Sequence, residues 1–197
     1  MSNDEFTLDV GLALDLKMSF KRNGYSAEEV KELSKGDFLG RVREVMLGRS
    51  MFMPAVHEID LDAAPFCPEG LFSTGKGTEH RKGGKLILTP GKIALFLAEG
   101  QKNGGWLKGH KLREELVNQP VLNANALDYM LAHQETFLEE WKGKMVFFWG
   151  TIYRGGVGGL YVRCAYWHGD RWVSGCDWLG NDFSGGTPAA VLASPAL

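Results

Sequence analysis

The stretch KMVFFWGTIYR, Lys144 to Arg154, decides the fold through one question: which side of it is the inside. In a strand, successive side chains point to opposite faces. Phe148, Gly150 and Ile152 then lie on one side, Phe147, Trp149, Thr151 and Tyr153 on the other, and neither side reads as wet. Strands near 145–154, 160–167 and 171–179 are separated by GGVGG and by HGDR, where Gly169 and Asp170 suit a two-residue hairpin turn. A three-stranded antiparallel meander is the expected product.

Setting Arg154 opposite Leu160 and His168 opposite Arg171 gathers Phe148, Ile152, Val162, Cys164, Tyr166 and Val173 on one face. Phe147, Trp149, Tyr153, Tyr161, Trp167, Trp172 and Trp178 fall on the other, with Arg163 and Thr151 among them. At roughly 150–250 Å² per large aromatic side chain, that set exceeds the apolar patch a soluble monomer displays. The sheet is therefore expected to be covered on both faces, by a helix from Asn125 to Trp141 on one and by amino-terminal elements, or a second copy in a homo-oligomer, on the other. The alternative is that the tryptophan face stacks on bases or sugars, with Arg163 and Arg171 supplying charge.

Upstream, apolar residues occupy every second position from Phe6 through Leu8, Val10, Leu12, Leu14, Leu16 and Met18 to Phe20, the period of a strand. SAEEVKEL carries a capping box, Ser26 with Glu29, at the start of a helix. Asp37 opens a second helix that Gly48 stops. AVHEIDLD reads as a strand, KLIL and KIALFL as a hairpin about TPG, and HKLREEL as a short helix. The helix after QP takes Asn123 or Asn125 as its cap and presents Leu127, Met130, Leu131, Phe137, Leu138 and Trp141 as one apolar stripe.

The 197 residues fit one α+β domain, an antiparallel sheet with helices packed against it, with residues 1–50 as an appendage and 181–197 as a loosely ordered tail. The start is acidic and lacks a secretory pattern, and no apolar run approaches the roughly 20 residues that span a bilayer. A cytoplasmic protein without membrane partners follows. Cys67, Cys164 and Cys176 are odd in number and form no C-x-x-C pair, so reduced thiols are expected rather than a disulfide framework or a zinc ribbon.

The formal net charge of −2 conceals a basic middle: from Lys76 to Arg113 nine basic residues face only Glu79 and Glu99. Such asymmetry calls for an anionic partner. Lys76, Arg81, Lys82, Lys85, Lys108, Lys111, Arg113 and Arg163 are the candidate ligand-binding residues, and nucleic acid is the leading partner. A binding protein without a cofactor is the first reading of function.

The second reading is a metal-dependent phosphoesterase-like enzyme. On a strand Glu58, Asp60 and Asp62 share one face at steps of about 6–7 Å and can converge on Mg²⁺ or Mn²⁺ with a phosphate completing the shell. His80 would then act as acid or base and Arg81 would stabilise phosphate charge. GLFSTGKG fits seven positions of a P-loop but puts Gly77 where the Mg²⁺-binding hydroxyl belongs, so it is read as a flexible cationic loop. No H-E-x-x-H and no G-x-S-x-G is present. A third reading is a structural subunit of an oligomer.

The runs HEIDLDAAPF, EHRKGGKL, PVLNANALDYMLAH, FFWGTIYR, LYVR and PAAVLAS resemble an uncharacterised family of short bacterial proteins over His57 to Ser194. The resemblance implies a natural bacterial domain and brings no activity, cofactor or catalytic residue with it.

Overall fold

Asp9 accepts a hydrogen bond from the Leu12 amide at 2.7 Å, and that cap starts a helix where alternation had predicted a strand. This computed structural model describes residues 9–51, 56–89 and 91–193. The chain divides into two compact units, Met1–Ala55 and Val56–Leu197. The described part of the first holds α1 (Val10–Arg22), α2 (Ala27–Leu33) and α3 (Phe38–Met46), none with a buried residue.

The strand expectation over 6–20 is thus corrected for its described part; Phe6 and Leu8 lie outside the described residues. On a helix a two-residue alternation makes two opposed stripes, Val10, Leu14, Met18 and Leu12, Leu16, Phe20, because each step of four turns back to nearly the same direction. Leu, Ala, Lys and Met are also strong helix formers, and Lys21 and Arg22 sit at the carboxyl end where cations are favoured. The capping box opens α2 as expected, with the Ser26 amide donating to Glu29 Oε2 at 2.7 Å and the Glu29 amide to Ser26 Oγ at 3.2 Å. Gly48, at φ +67°, follows the end of α3.

The second unit runs β1 (His57–Asp60), β2 (Leu71–Phe72), β3 (Glu79–His80), β4 (Lys85–Leu88), β5 (Ile93–Phe96) and β6 (Trp106–Lys108). Then come α4 (Gly109–Glu115), α5 (Ala124–Ala132), β7 (Met145–Gly155), β8 (Leu160–His168), β9 (Arg171–Trp178), β10 (Asp182–Ser184) and β11 (Ala189–Leu192). The fold is α+β. Its central sheet has the order β5-β11-β7-β8-β9, with β2 and β3 also paired to β7, and β1–β4 and β6–β10 form two separate ribbons. Every pairing is antiparallel except that of β11 with β7.

The meander has the expected ends, Arg154 opposite Leu160 and His168 opposite Arg171. Its middle differs. Phe147 pairs with Cys164 but Ile152 pairs with Val162, so residues 148–151 all stand opposite Arg163. Three extra residues on one strand reverse the alternation. Phe147 and Trp149 therefore share a face with Ile152, Val162 and Cys164, whereas Phe148 joins Val146, Ala165 and Trp172.

The irregularity has a cause on the other edge of β7. Its first half pairs with β11 and its second with β3 and β2. Between them the Gly150 amide donates to Leu122 O at 2.8 Å, and the Arg81 amide donates to Gly150 O at 2.7 Å. Gly150 is required there because a Cβ would lie 2.8 Å from the Asn123 nitrogen and 2.9 Å from its Cα. Asn123, itself buried, donates from Nδ2 to Leu61 O (2.7 Å) and Arg81 O (2.9 Å) while its Oδ1 caps α5.

Both sheet faces are covered. Ala126, Leu127 and Met130 of α5, then Phe137 and Trp141, pack on one side with Ile59, Leu61, Leu86 and Leu88 of the β1–β4 ribbon. Leu112, Leu116, Leu179 and Phe183 cover the other. All of these covering residues belong to the second unit, Val56–Leu197. Of the aromatic residues assigned to a stacking platform, Phe147, Trp149, Tyr153 and Trp172 are buried, whereas Trp178 is 46% exposed.

Three further expectations are corrected. β4 and β5 do not form a hairpin; β4 pairs with β1, and β5 with β11, because Leu86 and Leu88 join Ile59 in the core beneath α5. Pro90 of the expected turn lies outside the described residues. α5 stops at Ala132 rather than Trp141, since the Gln134 side chain takes both main-chain groups of Trp172, donating to its O at 3.1 Å and accepting from its N at 2.9 Å. Two 3₁₀ turns, Gln134–Thr136 and Glu139–Trp141, carry the stripe onward. The described part of the segment after 181 is no loose tail: β11 sits between β5 and β7. Among the described residues no helix is long and apolar enough to cross a membrane.

Gly150→Ala should lose about 2–4 kcal/mol, because the added methyl meets backbone that cannot give way. Gly156→Ala, where a Cβ meets nothing within 4 Å, should stay within about 0.5 kcal/mol of the parent. Urea denaturation of both compares them, and equal midpoints would contradict the close approach of Asn123.

Candidate functional site

Glu79 lies on β3, and Arg81, two residues on, leaves the sheet by way of the Gly150 bond. The two side chains meet. Arg81 Nε donates to Glu79 Oε1, and Arg81 Nη1 lies 3.2–3.3 Å from Leu116 O, Val117 O and Gln119 O. A guanidinium thus faces the carbonyls that follow α4, two of which, Leu116 O and Gln119 O, also accept main-chain amides. Arg113, from α4, donates from Nη2 to Glu79 Oε2 at 2.9 Å. One carboxylate is shared by two guanidiniums that are each about a quarter exposed, Arg81 at 24% and Arg113 at 26%.

These groups, with His110, Glu114 and Val117, line a cleft of about 410 Å³. Burial pushes the Glu79 carboxyl up, but the hydrogen bonds and charges of Arg81 and Arg113 outweigh it and hold the pKa below its ordinary 4.5. Sequence reading had found both arginines and missed Glu79 as their common partner and His110 as a neighbour. The available signal was E-x-R, which puts Glu79 and Arg81 on the same side of an extended segment.

The other basic candidates are dispersed. Lys85 pairs with Glu58 (2.6 Å), Lys108 with Asp182 (2.8 Å) and Lys111 with Glu114 (3.1 Å), all at the surface, where such pairs are weak. Lys76 and Lys82 are exposed, and neither makes an ion pair among the described residues. Arg163 differs: it is 3% exposed and grips Asp128 through both terminal nitrogens, at 2.8 and 3.0 Å. Burial pulls its pKa down, yet the Asp128 contacts prevail and raise it. Beside it, burial pushes the Tyr153 hydroxyl up to about 12, and that hydroxyl donates to Phe66 O at 2.9 Å. Arg163 holds α5 to β8.

The acidic strand does not assemble a metal site. Asp60 Oδ1 accepts the Asp62 amide (2.9 Å), and Asp62 Oδ1 accepts the amides of Gly83 and Gly84 (both 2.9 Å). The Gly84 amide is the main cause of Asp62's lowered pKa. Among the described residues, Glu58, Asp60 and Asp62 are not a cluster whose donor atoms converge. His80 is engaged at both nitrogens, Nδ1 with Thr151 Oγ1 at 2.8 Å and Nε2 with Ala63 O at 3.1 Å. Because a carbonyl only accepts, Nε2 carries the proton and Nδ1 accepts from the threonine hydroxyl in the neutral ring. GLFSTGKG leads into β3 rather than a helix, unlike a P-loop. Arg81 and Arg113 are thus the candidates the fold brings together, whereas His80, Asp60 and Asp62 are engaged by hydroxyl or main-chain partners and Glu58 by Lys85.

Compared with family models, curated proteins and solved structures, the chain matches none of them.

Glu79→Gln should cost about 1–3 kcal/mol, because two half-buried cations lose their counter-charge. The sign with pH follows from the lowered pKa: Glu79's contribution is complete above about 4.5, its unfolded value, and is lost as pH falls through the folded value. Urea midpoints measured from neutral pH down to pH ~3 should therefore fall less steeply in the variant. Parallel curves would remove the shared ion pair from the account.

Proposed function

We propose that this chain is a non-enzymatic binding protein of the bacterial cytoplasm that holds an anionic partner, the phosphate backbone of nucleic acid, at the Arg81–Arg113 cleft. One observation carries the reading: two guanidiniums, fixed by the end of α4 and by the Glu79 carboxylate they share, border an open cleft whose other carboxylate, Glu114, pairs with Lys111 at 3.1 Å. Arginine's planar fork suits phosphate. Lys82, next to Arg81, and Lys108 and Lys111, next to and on α4, add charges that are exposed or held in weak surface pairs. Lys76 and Lys85 extend the same basic segment. Free Cys67, Cys164 and Cys176 accord with a reducing compartment.

The metal-dependent phosphoesterase reading is less favoured, since His80, Asp60 and Asp62 are committed to main-chain or hydroxyl partners.

Fluorescence anisotropy with duplex and single-stranded oligonucleotides tests the binding reading. Affinity should fall log-linearly with salt, and Lys82→Ala with Lys111→Ala should lower the slope for duplex by about 0.9 per lost contact. No anisotropy change at about 50 mM salt, where such contacts are strong, would sink the proposal.

A further inference from the structure

His57 opens β1 and His133 ends α5, 76 positions later, yet they meet Glu135 in one place. The nitrogen and carboxylate donors of these three residues all lie within 4.8 Å of one another, and among the described residues this is the one such group of three or more His, Cys, Asp or Glu. We propose that His57, His133 and Glu135 form a binding site for a divalent transition ion of the zinc class, independent of the arginine cleft.

The donor set fixes the class of ion. Two imidazoles and one carboxylate suit borderline ions such as Zn²⁺, whereas Mg²⁺ and Ca²⁺ take oxygen ligands. Three protein donors leave the fourth tetrahedral position to water. His133 Nδ1 stands 3.5 Å from Glu135 Oε1, close to the roughly 3.3 Å that separates two ligands on a tetrahedral ion with bonds near 2.05 Å. A modest inward movement of His57 completes the set.

The surroundings orient these donors as outer-shell groups do. His57 Nδ1 is 3.1 Å from the Tyr129 hydroxyl, which leaves Nε2 for an ion. Tyr129 also stacks on His133, with ring centroids 4.3 Å apart and planes at 25°, so one residue sets the attitude of both imidazoles. The backbone at His133 is pinned as well: Thr136 Oγ1 donates to His133 O at 2.7 Å, and Gln134 is clamped to Trp172. Both histidines are half-buried and Glu135 is exposed, so the site is reachable from solvent. A bound ion would tie the β1–β4 ribbon, which pairs with no strand of the central sheet, to the carboxyl end of α5.

Titration calorimetry of the full chain, freed of metal by chelation, with Zn²⁺ alone is the test. One equivalent should bind, and thermal unfolding should shift upward with zinc. Tyr129→Phe removes only the hydroxyl and should weaken binding about ten-fold. Glu135→Gln, at the surface, and His57→Ala with His133→Ala should each weaken it by at least as much. Should the double histidine variant fail to fold, as judged by circular dichroism, the tyrosine and glutamate variants decide alone. Absence of binding to the parent, or unchanged affinity in the variants, overturns the proposal.

Discussion

The central constraint is that β7 is used on every side. Phe147, Phe148 and Trp149 are buried in succession, so both faces must be covered, and both edges are paired. Fully burying one such side chain stabilises by about 1.5–3 kcal/mol, and three consecutive ones bury the middle of the strand on both faces. The edge away from β8 is shared among β11, β3 and β2, and Gly150 is the point where one set of partners gives way to the next. Asn123 fills that point. It approaches because glycine has no side chain, and it fastens the start of α5 to the segments carrying Leu61 and Arg81.

The arginine cleft inherits its rigidity from this junction. The Arg81 amide is bound to Gly150, its carbonyl to Asn123, and its guanidinium to Glu79 and the end of α4. A cation held at four points loses little freedom on meeting an anion, which favours binding over an exposed lysine of equal charge. Near the same junction the side chains of His80 and Asp62 are engaged, His80 by Thr151 Oγ1 and Ala63 O and Asp62 by the amides of Gly83 and Gly84.

Much of the architecture was legible where local chemistry dictated it. The HGDR turn fixed the β8–β9 register, and Ser26 with Glu29 fixed the start of α2. Failures arose where distant partners decided. No local signal announces that Leu122 and Arg81 will insert at Gly150 and reverse the alternation of β7, or that Gln134 will find Trp172 and end α5 early. Alternation over 6–20 misled because leucine, alanine and methionine favour helix whatever their spacing. The basic segment was visible as composition, but Arg113 pairs with Glu79 and Lys85 with Glu58, 34 and 27 positions away, and such pairing is invisible to a count of charge.

Native-state hydrogen exchange tests the role of the Gly150 junction most directly. The amides of Gly150 and Arg81 should exchange only through global unfolding, with the same protection as Phe147 in the middle of the sheet. Rapid local exchange at Gly150 and Arg81 while Phe147 stays protected would show the junction to be an ordinary loose irregularity, and the fixed placement of the arginine cleft would go with it.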